Sequence, residues 1–179
     1  MSGTIDIAIN IAARGWGDAV PDAEAVVRRA ATAALGAGGG GSEAAAELSI
    51  LLTDDAELRR LNATWRGRDE PTNVLSFAAD DASADVPPHG GPRLLGDVAL
   101  ALETVTAEAA RDGKAPVDHL AHLVIHGILH LLGHDHQDAG AAAAMEALEV
   151  EILAGLGIAD PYLVKGRPPE SPVRDEAAE

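Results

Sequence analysis

Cysteine is absent from this chain of 179 residues. That excludes disulfides, cysteine-ligated zinc, iron–sulfur clusters and thiol nucleophiles together. Aromatic residues amount to 2%, so a core must be built from Ala, Val, Leu and Ile. Basic residues are scarce: 13 Lys and Arg against 29 Asp and Glu leave a formal net charge of −16. So acidic a chain repels nucleic acid and anionic membranes at long range, and any RNA-facing role requires a local basic patch or a metal. No uncharged apolar run reaches the roughly 18 residues of a membrane helix. The opening MSGTIDIAIN lacks a basic segment followed by a long apolar stretch. No secretory leader is therefore expected, and a cytoplasmic location is. The 47% hydrophobic content and a length typical of one domain predict a single unit with a sizeable core.

Ile5, Ile7 and Ile9 alternate with Asp6, Ala8 and Asn10, the period of a half-buried strand. Pro21 opens a helix with Ala25, Val26, Ala30, Ala33 and Ala34 on its apolar side; Gly36 ends it, and Gly38–Gly41 with Ser42 form a low-complexity loop. Leu48, Ile50 and Leu52 alternate as a second strand. Asp54 or Asp55 caps a helix through Trp65, with Leu58, Leu61 and Trp65 as its buried stripe and Gly67 as its stop. After Pro71, Thr72–Phe77 reads as a third strand, and the acidic, Pro- and Gly-rich stretch 78–93 as a loop. Asp97–Leu102 is a fourth strand and Glu103–Arg111 a helix. Pro116 opens a helix over Val117–Leu132, ended by Gly133, and Ala139–Leu156 forms the last one.

Strand–helix–strand–helix–strand implies parallel crossovers, with the late fourth strand free to pair antiparallel. The expected fold class is α+β. A single domain over 1–160 would hold a mixed, mostly parallel four-stranded sheet with one antiparallel strand, packed by helices. A Pro- and acid-rich tail over 161–179 is expected to be disordered.

The stretch that carries chemistry runs from His126 to His136 (HGILHLLGHDH). At about 100° per residue, His126 and His130 share one helical face a turn apart. Gly133 can take the left-handed conformation that ends a helix, which lets His136 return to the same point. Three neutral imidazoles leave a fourth position for water, the layout of a catalytic zinc site. A structural zinc would close the site with a fourth protein ligand, for which His134 or Asp135 is placed. The spacing is that of the zinc-protease motif H-E-x-x-H-x-x-G-x-x-H, except that Gly127 stands at the glutamate which serves proteases as general base.

With those residues in place, the chain resembles the YbeY endoribonuclease family, also called rRNA maturation factors. The H-G-x-L-H-L-x-G-x-D-H signature at 126–136 carries the resemblance. Leu61-Asn62 with Trp65-Arg66, the run Pro71–Phe77, and Gly96-Asp97-Val98 support it, over residues 45–156. The resemblance implies a single-domain α+β hydrolase of phosphodiester bonds: a zinc-dependent, single-strand-specific endoribonuclease of the cytoplasm. It implies action in small-subunit ribosomal RNA 3′-end maturation and ribosome quality control. One zinc ion per chain on His126, His130 and His136 and a functional arginine at Arg66 are implied. So are partners: single-stranded RNA, small-subunit rRNA, small-subunit ribosomal proteins and a ribosome-associated GTPase, but no membrane.

The residues leave alternatives. Arg66 closes a helix, where a cation favours the macrodipole without further duty. Arg59, Arg60, Arg66 and Arg68 against Glu57, Asp69 and Glu70 give residues 56–76 a net charge of +1, a local contrast to −16 overall. His119 and His122 share the stripe of the metal histidines, as polar packing or as donors behind the ligands. Asp135 either orients an imidazole or caps a turn. A metalloprotease, disfavoured by Gly127, and a non-catalytic assembly factor with a structural zinc are the competing functions.

Overall fold

The computed structural model describes residues 4–39, 45–79 and 91–163. The strands are β1 (Ile5–Ile11), β2 (Ala46–Thr53), β3 (Val74–Ala78) and β4 (Arg93–Ala101). The helices are α1 (Gly15–Ala19), α2 (Ala23–Ala37), α3 (Asp55–Arg66), α4 (Leu102–Arg111), α5 (Pro116–Leu131) and α6 (Ala139–Gly155). The strands form one sheet in the order β1-β2-β4-β3. β1 pairs parallel to β2 and β2 parallel to β4, while β3 runs antiparallel to β4 at the edge. The sheet is mixed and mostly parallel, as expected. The reversed strand is the third, however: β4 follows the direction of β2, and β3 lies along its outer side.

Alternation assigns the strand residues to two faces. Ile7, Leu48, Ile50, Leu52, Val98 and Leu100 join the larger core beneath α2, α5 and α6. Leu75, Ala99 and Ala101 face the other way and receive Leu58 and Leu61 of α3. At the centre lies α5, apolar on nearly every side, as a helix packed all round must be. Its Leu120, Val124, Ile125, Ile128 and Leu129 are all fully buried, between the sheet and α2, α4 and α6. Burying each side chain of that size contributes about 1.5–3 kcal/mol, so the helix that carries the histidines is also the best-anchored element.

Several local expectations need correction. α2 begins at Ala23, behind Asp22 in a left-handed conformation, and passes through Gly36 to Ala37. A five-residue helix, α1, precedes it, too short to show a period. It sinks Trp16, whose indole N–H donates to the Thr53 carbonyl at 2.9 Å. α3 is capped as expected, with the Asp54 carboxylate accepting from the Glu57 N–H at 2.9 Å. Its stripe is different: Trp65 is 69% exposed, and Asn62 is buried instead, donating to the Glu70 carbonyl at 2.9 Å. Most of the loop expected over 78–93 and part of the glycine-rich loop (40–44) lie outside the described residues, as do residues 164–179 of the tail. Ordered contacts continue past the expected boundary at 160. Lys114 Nζ donates to the Pro161 carbonyl at 2.6 Å, and the Tyr162 hydroxyl donates to Glu149.

Candidate metal centre and active site

α5 presents His126 and His130 one turn apart, and the helix stops at Leu131. Gly133 then adopts φ +94°, a left-handed conformation open to glycine at no steric cost, and the chain folds back. His136 returns to the pair: one ligand atom from each ring lies within 4.8 Å of the others. The Nε2 atoms of His126 and His130 are 3.1 Å apart, and the His136 ring centroid is 4.9 Å from that of His130. Among the described residues no further His, Asp or Glu joins this group. His134 turns away to the Gly38 carbonyl, 3.3 Å from its Nε2. Asp135 accepts from the Gln137 N–H at 2.8 Å, a turn cap rather than an imidazole partner.

The decisive neighbour was not visible in the sequence. Glu149, on α6, has no exposed surface. Its Oε1 lies 2.5 Å from His126 Nδ1, its Oε2 lies 2.9 Å from His122 Nε2, and Oε2 also accepts from the Tyr162 hydroxyl. Burial pushes the Glu149 carboxyl up, but the bonds from His122, His126 and Tyr162 outweigh it and hold the group down at about 2. An ionised carboxylate only accepts, so the proton of His126 sits on Nδ1 and its Nε2 carries a lone pair. His130 is pushed down to about 4, by burial first and then by the neighbouring His126 and His136. It is therefore neutral near pH 7. Two facing ring nitrogens and a third exposed imidazole suit a metal cation that favours nitrogen ligands. His119 behaves separately: its Nε2 lies 2.7 Å from Glu108, which also receives both bonds of the Asn73 amide at 3.2 and 3.1 Å.

The histidines line a cleft of about 470 Å³ whose opposite wall includes Arg66, Asn73 and Ser76. Arg66, the last residue of α3, donates from Nη2 to the Ser76 carbonyl at 2.9 Å, and among the described residues it makes no ion pair. The other arginines of its neighbourhood are engaged. Arg59 chelates Asp69 at 2.7 and 3.0 Å, Arg60 binds Glu57, and Arg68 stands 4.0 Å from Glu70. The basic patch read from composition thus reduces to one guanidinium beside the cleft.

Gly127 faces the sheet. A Cβ there would stand 2.8 Å from Val98 Cγ1 and 3.0 Å from Ser76 Oγ, and its carbonyl accepts from that same hydroxyl at 2.9 Å. At the position that holds the base in zinc proteases, a side chain here would have to displace Val98 and Ser76.

An α+β domain that offers three imidazoles and a guanidinium to one open cleft has the donor set of a metallohydrolase. The family described as "Endoribonuclease YbeY" matches residues 18–157. Curated proteins of that name are close in sequence. The one from Paramagnetospirillum magneticum is 56% identical over 163 residues, covering 90% of this chain and 98% of the relative. The one from Rhodospirillum rubrum is 50% identical over 163 residues, covering 88% and 82%. The solution structure of TM1509 from Thermotoga maritima aligns over 88% of this chain and 99% of its own, with 20% identity and a TM-score of 0.49. The chain belongs to the endoribonuclease YbeY family. No helix among the described residues is long and apolar enough to cross a membrane.

Proposed function

We propose that this chain is a zinc-dependent endoribonuclease, a hydrolase of phosphodiester bonds specific for single strands. It acts in the cytoplasm on small-subunit ribosomal RNA, at 3′-end maturation and in ribosome quality control. Small-subunit ribosomal proteins and a ribosome-associated GTPase are its partners there. RNA cleavage is the activity that the relatives' names carry. The observation that supports the reading best is the meeting of His126, His130, His136 and Arg66 in one cleft, from elements 60 residues apart in the chain (66 to 126).

One zinc ion on the three imidazoles would supply a Lewis acid and a water acidified toward neutrality. The chain's own residues supply the rest. Glu149 fixes the His126 ring and its tautomer, so that the Nε2 lone pair faces the cleft without reorganisation. His130 stays neutral at working pH. Arg66, aimed by its bond to the Ser76 carbonyl, offers a planar fork to phosphate oxygens on which negative charge grows during attack. Asn73, held by Glu108, lines the wall where the ribose or base beside the scissile bond would lie. We assign the functional domain to 1–160 and read 161–179 as a tail, of which Tyr162 reaches back to support Glu149.

Purified chain incubated with defined single-stranded RNA, duplex RNA and casein, with and without a chelator, tests the reading. Chelator-sensitive cleavage of the single strand only is expected. Cleavage of casein would favour a protease instead. The net charge of −16 suits a non-catalytic assembly factor that docks on basic ribosomal proteins, and the absence of all turnover with zinc bound would favour that reading.

A further inference from the structure

We infer that the sheet face beside Arg66 is a base-stacking platform for single-stranded RNA, with the Trp65 indole as its stacking surface and Phe77 behind it. The inference rests on the nuclease reading and extends it to how the strand is held. The chain has two tryptophans that live in opposite environments. Trp16 is wholly buried, whereas Trp65 is 69% exposed at the last turn of α3. An indole so placed contributes little to folding. Its ring centroid is 6.3 Å from that of Phe77, at a tilt of 59°, so the indole touches the sheet through Phe77 and leaves most of its surface open.

A groove of about 1150 Å³ begins at this pair and crosses the sheet over Ala8, Asn10, Ser49 and Asp97. Ala8 and Ser49 line it beside the apolar Leu51 and Leu61, and the Asn10 amide and Asp97 carboxylate offer polar groups to base edges. The groove is continuous with the histidine cleft: Arg66, Ser76 and Ala78 line both. A strand whose phosphate sits at the Arg66 guanidinium can therefore lay a neighbouring base on Trp65. The charge of the chain argues the same way. At −16, with Arg59 and Arg60 neutralised by their ion pairs, a phosphate-only surface holds RNA weakly. Stacking is sequence-tolerant and does not need a basic surface. It requires splayed bases, which a duplex does not offer, so the occupant is a single strand.

The test titrates the full chain with a uridine hexamer and with an abasic ribose-phosphate hexamer. Tryptophan emission and the anisotropy of end-labelled RNA are followed together. Because Trp16 is buried, quenching reports on Trp65. The uridine hexamer should quench and the abasic one should not. Trp65→Leu, at an exposed site that leaves the core intact, should weaken hexamer binding about fivefold or more, and Trp65→Phe should recover part of it. Equal quenching by the abasic hexamer, or unchanged affinity of Trp65→Leu, overturns the platform. So does a sedimenting dimer that Trp65→Leu dissolves without loss of RNA affinity, since the face would then serve a second copy. Quenching without any cleavage would sink the nuclease reading and leave the platform standing. Cleavage without quenching would sink the platform alone.

Discussion

Glu149 Oε1 stands 2.5 Å from Nδ1 of His126, from a helix that begins after the histidine turn has closed. The contact fixes which nitrogen of His126 is free. Glu149→Gln keeps the shape but sets an amide N–H₂ against a ring or hydroxyl donor. Partners behind a metal ligand typically control metal affinity by about 10–100-fold, and that is the loss expected in a zinc competition titration. Tyr162→Phe removes one donor to Glu149 and leaves both imidazoles in place, so its effect should be smaller. Unchanged zinc affinity in Glu149→Gln would reduce the carboxylate to packing.

Acid should destabilise the metal-free protein in two stages. His130 is depressed to about 4 from 6.5, so the unfolded state binds the proton first. Its contribution to stability is present above pH 6.5 and falls away toward pH 4. Glu149 is depressed to about 2 from 4.5. Its contribution is present above pH 4.5 and is lost as pH falls through about 2. Each group adds a slope of at most about 1.4 kcal/mol per pH unit within its window. Thermal unfolding followed from pH 7 to 3 in chelator should show a first fall that His130→Leu flattens. An unchanged first fall in that variant would remove His130 as its source.

What was legible in the sequence was what is local. Histidines at 126 and 130 declare a shared face because helical geometry is the same everywhere, and Gly133 declares the turn. Glu149 gave no such signal. It sits 23 residues from His126 on a helix whose Ala-rich stretch shows no polar face to make a buried carboxylate conspicuous. Trp65 fitted the period of α3 with Leu58 and Leu61, yet the last turn of that helix overhangs the sheet, and Asn62 is buried because its amide caps the returning Glu70 carbonyl. The reversal of β3 rather than β4 follows from pairing between strands, which alternation within one strand does not encode.

Gly127 separates a packing requirement from a missing base. Gly127→Ala sets a methyl 2.8 Å from Val98 Cγ1, and overpacking of this kind typically costs about 1–3 kcal/mol. A lowered melting temperature is expected. Gly127→Glu should unfold the chain rather than confer peptidase activity, because its carboxylate would enter the sheet. A folded Gly127→Glu variant that cleaves casein would contradict the packing geometry.

Arg66 carries the last prediction. Its backbone is set by α3, and its guanidinium is aimed by the Ser76 carbonyl at 2.9 Å. The side chain is exposed, so removing it should cost at most about 1 kcal/mol of stability, the worth of a helix-end cation. Loss of one preorganised electrostatic donor typically costs about 10²–10³ in rate. Arg66→Ala should therefore keep fold and zinc content and lose most RNA cleavage. Arg66→Lys should recover only part, because an ammonium cannot span two phosphate oxygens in one plane. Arg60→Ala is the control: its guanidinium is committed to Glu57 at 2.9 and 2.5 Å, so cleavage should change little and in a salt-dependent way. The three variants are compared by single-turnover cleavage of one labelled RNA, with zinc measured in each preparation. Parental cleavage by Arg66→Ala would make the arginine a helix-end charge, and the chemistry would then rest on the histidine centre alone.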